Sequence, residues 1–328
     1  MGVKFKDITN PDTIEMRELD GKILTVDASN LIYKFLTTMR QGDGSPLRDL
    51  NGNITSHLNG IMFQTSTLID LNIKPIYVFD GKAPILKKKT QQERIEVKKE
   101  SEAKYLKAKE VGDTEKARKY AARTAQLTHE ILESSKKLLE LMGVPYVESI
   151  TEGEAQAAYM AKRSDAWAVV SQDYDCLLFG APRVIRNFRL TKSNYEMEII
   201  SLQKTLDELK LTQQELVDAA ILVGTDFNEG CYGVGAKTAI KLIHEYKNVE
   251  NVLKNTKYSM DDSNVDEIRE IFLNPQIQEY YDTTFKKPKK DELMDFLCGD
   301  HDFDEVRTEH AIAKIQNKCA QTNLEQWF

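Results

Sequence analysis

Seven acidic residues carry the chemistry that this sequence could perform. In "VVSQDYDCLL" (169–178) an apolar run suited to a buried strand ends in two carboxylates two residues apart, Asp173 and Asp175. "KILTVD" (22–27) and "KPIYVFD" (74–80) repeat the pattern with Asp27 and Asp80, and "PYVESITEGE" (145–154) ends in Glu152 and Glu154. Asp226, in "GTDFNEG", adds a seventh within a later helical region. A buried carboxylate is costly unless something compensates its lost hydration. Each acid has a local explanation. Asp27 could cap the next helix, Asp80-Gly81 could be a plain turn, and Thr151 with Glu154 could form a capping box. Parallel strands, however, would bring most of these groups to one edge, where like charges repel unless protonated or bound to cations. Hard oxygen ligands with no His or Cys nearby favour Mg2+ or Mn2+ over Zn2+. More carboxylates than one ion needs point to two ions, an arrangement that hydrolyses phosphodiesters.

The elements that must position these acids follow from the pattern between them. The four acid-terminated runs are short and β-branched-rich, as expected of strands buried in a parallel sheet. Helical stretches alternate with them: "ASNLIYKFLTTM", "SHLNGIMFQTSTLIDL" and "LTHEILESSKKLLELMG". That alternation predicts a doubly wound α/β fold, which binds ligands beyond the carboxyl ends of its strands. From Leu211 to about Leu253 the chain again reads helical, interrupted by "GTDFNEGCYGVGAK". Lys82–Arg123 differs. It holds 14 Lys/Arg against 7 Asp/Glu and few large apolar residues. A helix so polar cannot bury a face, which predicts a projecting, mobile element that orders on binding.

Composition sets the outer limits. The 328 residues are 41% hydrophobic and 30% charged, enough for a core and unlike a long disordered chain. Apolar stretches such as "AAILV" are far short of the roughly 20 residues that cross a bilayer. "MGVKFKDITNPD" lacks a secretory core, and Lys6 breaks the myristoylation pattern. The four cysteines (176, 231, 298, 319) have no paired spacing, which fits reduced thiols and a cytoplasmic protein. The net charge of −7 equals the charge of the seven acids, the other 45 balancing 45 bases. A basic stretch on such an acidic chain is the footprint of a phosphate-bearing partner.

"VDASNLIYKFL", "YVFDGKAPILKKKTQQER", "TEGEAQAAYMAK", "SQDYDCLLFG" and "GTDFNEGCYGVGAKTAIKLI", in this order, resemble the flap endonuclease family of structure-specific 5′ nucleases. The resemblance runs from Met1 to Phe328, and the end at "QTNLEQWF" resembles the archaeal type. It implies a PIN-like α/β fold with a mostly parallel sheet, a helical arch and a helix-two-turn-helix. Its divisions are an N-terminal nuclease region (1–98), an inserted arch (82–130) and an internal region (116–258) with the helix-two-turn-helix at about 218–248. A helical return (259–320) and a terminal peptide (321–328) complete it.

The resemblance also assigns residues. Asp27, Asp80, Glu152, Glu154, Asp173, Asp175 and Asp226 would surround two Mg2+ ions, with Mn2+ as the alternative. Lys87 and Arg94, two helical turns apart, would clamp the scissile phosphate. Tyr33 would stack on a base beside the cut, although a core tyrosine is the plain reading. Lys119 and Arg123 would touch phosphates from the arch, and Gly233, Gly235 and Lys237 would meet duplex phosphates, with a K+ ion at the hairpin. Gln321, Leu324, Trp327 and Phe328 fit the peptide that binds the sliding clamp, PCNA. The expected activity is flap endonuclease and 5′ exonuclease cleavage in replication (Okazaki fragment maturation) and repair, by a monomer acting on DNA with 5′ flaps or nicks. Another nuclease of the superfamily, cutting junctions or resecting long tracts, is one alternative. A non-catalytic DNA-binding partner of the clamp is another.

Overall fold

The computed structural model describes residues 3–82, 84–190, 197–261 and 264–325. Among them seven strands form one sheet: β1 (Asp12–Ile14), β2 (Ile23–Asp27), β3 (Lys74–Phe79), β4 (Tyr146–Glu148), β5 (Ala168–Val170), β6 (Arg183–Arg186) and β7 (Met197–Ser201). Their order is β1-β7-β6-β5-β2-β3-β4. The five strands from β6 to β4 are parallel, while β7 runs antiparallel to both β6 and β1. The sheet is therefore mostly parallel, and the four acid-terminated runs supply β2 to β5.

β2, β3 and β5, inside the sheet, are almost continuously apolar because both faces are covered, while β4 is its edge strand. Along β3 the side chains alternate: Ile76 and Val78 join one apolar layer, Tyr77 and Phe79 the other. The first layer is completed by α6 (Gly153–Lys162), α7 (Asp175–Leu178), α9 (Gln213–Val223), α10 (Ala236–Tyr246), α11 (Val249–Asn255) and α12 (Val265–Leu273), with α8 (Leu202–Leu209) at its margin. The second layer holds α1 (Ala28–Thr38), α2 (Ser56–Asp70), α5 (His129–Met142), α13 (Lys290–Met294) and α14 (Glu305–Glu325).

The chain builds outward from β2 through β3 to β4, then crosses back to place β5 on the other side of β2. The order reverses there, opening the crevice beyond the strand ends in which such sheets bind ligands. Two helices stand apart from the layers, α3 (Lys88–Glu110) and α4 (Thr114–Arg123), which pack on each other and, through α4, on α1. Among their described side chains the buried ones are small: Ser101, Ala108 and Ala121. Among the described residues no helix is long and apolar enough to cross a membrane.

Candidate active site

The reversal of strand order gathers the acids. Asp27 is the last residue of β2 and also the N-cap of α1, accepting a bond from the Asn30 amide at 2.9 Å. The helix cap and the strand-end site are thus one residue doing both. Asp80 follows β3 and is exposed, and its Oδ1 accepts from the Gly153 amide at 2.7 Å. The turn after β3 is drawn against residues 149–151 by Gly81 N–Thr151 O (2.7 Å) and Lys82 N–Ile150 O (3.0 Å). Only glycine fits at position 81, since a Cβ there would lie 2.0 Å from the Ser149 carbonyl oxygen.

Glu152 is the N-cap of α6 and Glu154 stands in its first turn. Thr151 lies one residue before the cap, so the capping box considered for Thr151 and Glu154 is not formed. Asp173 follows β5, and Asp175 opens α7 with its Oδ1 held by the Val3 amide at 2.7 Å. Asp226 lies in the loop between α9 and α10.

Ser171 links three of the acids, a role the sequence did not single out. Its hydroxyl lies 3.3 Å from Asp27 Oδ2 and 3.4 Å from Glu154 Oε1, and it accepts from the Asp173 amide at 3.2 Å. Asn30 Nδ2 donates to Asp173 Oδ2 at 3.3 Å. Lys87, at the start of the arch, turns inward: its ammonium pairs with Glu152 and lies 3.5 Å from Asp226. Burial opposes its charge, but Glu152 and then Asp226 outweigh that and hold it protonated.

The acids are pushed the other way. Burial, then Asp80, raises Asp27 to about 7. Burial, resisted by the Val3 amide and reinforced by Asp226 and Asp173, raises Asp175 to about 7. Glu154 is raised well above the carboxylate range by burial and then by Asp175, Asp27 and Asp173. In Glu152 burial again dominates, partly offset by Lys87. This is the electrostatic state of an acid cluster short of positive charge. Among the described residues no three His, Cys, Asp or Glu side chains converge as the ligands of one ion in this side-chain arrangement.

The remaining candidates fall on other elements of the chain. Tyr33 is 37% exposed on α1, so the core reading does not hold. Lys119 is exposed on α4. Arg94 and Arg123 fall on α3 and α4, with their side chains outside the description. Gly233 takes φ +76°, Gly235 is the N-cap of α10, and a Cβ at either would meet nothing within 4 Å. Lys237 is exposed in the first turn of α10. Beside them Tyr232, which the sequence reading passed over, is 99% exposed. Gln321 and Leu324 fall on α14, which continues unbroken across 320 and 321, and their side chains are outside the description. Trp327 and Phe328 lie outside the described residues.

With this geometry in view, comparisons place the chain among known proteins. The XPG N-terminal domain model matches residues 1–101, and the XPG I-region model matches residues 143–226. The chain is 68% identical to flap endonuclease 1 of Methanosphaera stadtmanae over 329 aligned residues, covering all of both proteins. It superposes on the structure of flap endonuclease-1 from Methanococcus jannaschii with a TM-score of 0.79 at 43% identity, over 98% of this chain and all of that one. The catalytic core of Rad2 in complex with DNA substrate is similar in fold, with a TM-score of 0.75 at 22% identity over 96% of this chain and all of that one.

Proposed function

The chain belongs to the flap endonuclease 1 family, and from that premise we propose how its residues cut DNA. It is a structure-specific 5′ flap endonuclease with a role in replication and repair. The observation that carries the mechanism is that acids at the ends of β2, β3 and β5, on α6 and α7 and in the α9–α10 loop stand near enough to repel one another, with Lys87 paired to Glu152 and 3.5 Å from Asp226.

We assign Asp27, Asp80, Glu152, Glu154, Asp173, Asp175 and Asp226 as the groups that would hold two divalent ions, Mg2+ or alternatively Mn2+. The fit rests on the cluster itself: all-oxygen donors, Asp27, Glu152, Asp175 and Asp226 buried, and Asp27, Glu152, Glu154 and Asp175 driven toward protonation by burial and by neighbouring acids. Ions bound there would supply Lewis-acid activation of water and stabilisation of the leaving oxygen. The chain's own groups then divide the remaining work. Ser171, Asn30 and the Val3 and Gly153 amides fix carboxylate orientation, each by a bond to an acid. Lys87 is kept charged beside Glu152 and Asp226, where its ammonium can meet a scissile phosphate held at the acids. Arg94, two turns further along α3, is assigned the same phosphate.

Around the centre, Tyr33 offers an exposed ring for a frayed base. Lys119 and Arg123 offer charge to a 5′ strand under the arch. The amides at Gly233 and Gly235, with Lys237, offer a duplex grip in which a K+ ion could share. Gln321, Leu324, Trp327 and Phe328 are assigned to the sliding clamp. We assign the enzyme a monomeric form, with the divisions 1–98, 82–130, 116–258, 259–320 and 321–328 as its working units.

The test is cleavage of a 5′-labelled double-flap DNA beside a matched 3′-flap, with Mg2+ and with EDTA. One cut near the 5′-flap junction, only with metal, is expected. Equal cutting of both substrates would remove flap specificity from the reading, and undiminished cutting in EDTA would remove the metals.

A further inference from the structure

Arg269, on α12, uses all of its donors. Nε and Nη2 reach the two oxygens of Asp218 on α9 at 2.6 and 3.2 Å, Nη1 and Nη2 reach those of Glu250 on α11 at 2.6 and 2.8 Å, and Nη1 also meets Asp266 at 2.8 Å. A guanidinium has five N–H groups in a fixed fork, and here two carboxylates are each gripped at both oxygens. The Arg269 side chain is 13% exposed and that of Asp218 1%. Three helices are thereby fixed to one planar group.

What α9 carries makes that brace matter. The loop that follows is bound to the helix rather than hanging from it: Asn228 Nδ2 donates to the Ile221 carbonyl at 2.8 Å, and the Cys231 amide donates to that of Leu222 at 2.8 Å. Gly224 (φ +102°) and Gly230 (φ +73°) cross so closely that a Cβ on Gly230 would lie 2.4 Å from the Gly224 nitrogen. Asp226 sits within this tied loop, so it moves with α9 as one body.

We propose that Arg269 is a positioning residue for cleavage, bracing α9 against α11 and α12 so that Asp226 stands in register with the other acids. The proposal rests on the assignment of Asp226 to the reacting centre. It predicts a loss in turnover rather than in DNA binding, because a misplacement of about 1 Å at a reacting centre costs up to about a hundredfold in rate.

Arg269→Lys keeps the charge but offers a point ammonium that cannot grip two carboxylates at both oxygens. Its kcat on a 5′-flap substrate should fall about tenfold with KM within twofold. A buried ion pair replaced by apolar groups of similar size often leaves stability unchanged. The double variant Asp218→Leu/Arg269→Met should therefore melt close to the wild type yet cut as slowly as Arg269→Lys. Wild-type kcat in either folded variant overturns the proposal, and so does a raised KM with unchanged kcat. Asp226→Asn is the separate control: wild-type cutting by that variant would sink the assignment of Asp226 itself, whatever Arg269 does.

Discussion

Glu154 stands half-buried in the first turn of α6, facing Asp27, Asp173 and Asp175, with the Ser171 hydroxyl 3.4 Å away. A carboxylate held in this way weakens the fold that holds it, since burial and three like charges oppose its ionisation. Glu154→Gln keeps the shape and removes the charge. In EDTA its melting temperature should rise by about 2 °C, the shift that roughly 1 kcal/mol gives in a chain of this size. Its cleavage rate with Mg2+ should fall by at least about a hundredfold. Lost stability with retained cleavage would refute both halves. Six of the acids were legible in the sequence because they close apolar runs, a local signal; Asp226, in a later helical region, carried the weakest one. Ser171 and the Val3 amide were not. Val3 lies 172 residues from the carboxylate it holds, and no local pattern encodes such a partner.

At the scale of elements, the same contrast between local and non-local signals recurs. Gly233 and Gly81 separate two reasons for a glycine. At Gly233 the backbone is left-handed (φ +76°) but the space is open, so Gly233→Ala should cost about 1 kcal/mol of strain and no clash. If its amide meets duplex phosphate, KM for flap DNA should rise several-fold at unchanged kcat; equal KM would detach the hairpin turn from the duplex. At Gly81 a methyl would strike the Ser149 backbone, so Gly81→Ala should lower both melting temperature and activity, the turn being unable to reach residues 149–151. β2, β3 and β5 were readable because burial on both faces leaves unbroken apolar runs, and the edge strand β4 because an acid-rich turn follows it. β1, β6 and β7 were not, because charged residues interrupt each of them, as in "RVIR". The basic stretch reads as helix without a buried face; α3 and α4 pack on each other, and the buried side chains described there, Ser101, Ala108 and Ala121, give no large apolar period to detect.

Over the whole molecule, the two apolar layers differ in what they enclose. The layer behind α2, α5 and α14 contains a histidine: His57, 1% exposed, its Nε2 2.7 Å from Ser134 Oγ and its Nδ1 buried with no hydrogen-bond partner. Burial, and then the neighbouring His301, pushes its pKa down to about 3, against about 6.5 in an unfolded chain. Above pH 6.5 both states are neutral and the residue contributes no slope. Between pH 6.5 and 3 the unfolded chain takes up a proton that the folded one refuses, so stability is lost on acidification by up to about 1.4 kcal/mol per pH unit. Asp27 and Asp175 act in the opposite sense, because without metal the folded state holds their protons up to about pH 7. The two effects overlap in a single pH profile and separate only in a difference between variants. His57→Gln retains a group able to bond Ser134 and removes the titration. Urea unfolding in EDTA at pH 6.5 and pH 5 should therefore show the wild type losing about 2 kcal/mol more than His57→Gln over that interval. Parallel losses in the two proteins would mean that His57 is protonated in the folded state, and that this layer admits water where it stands.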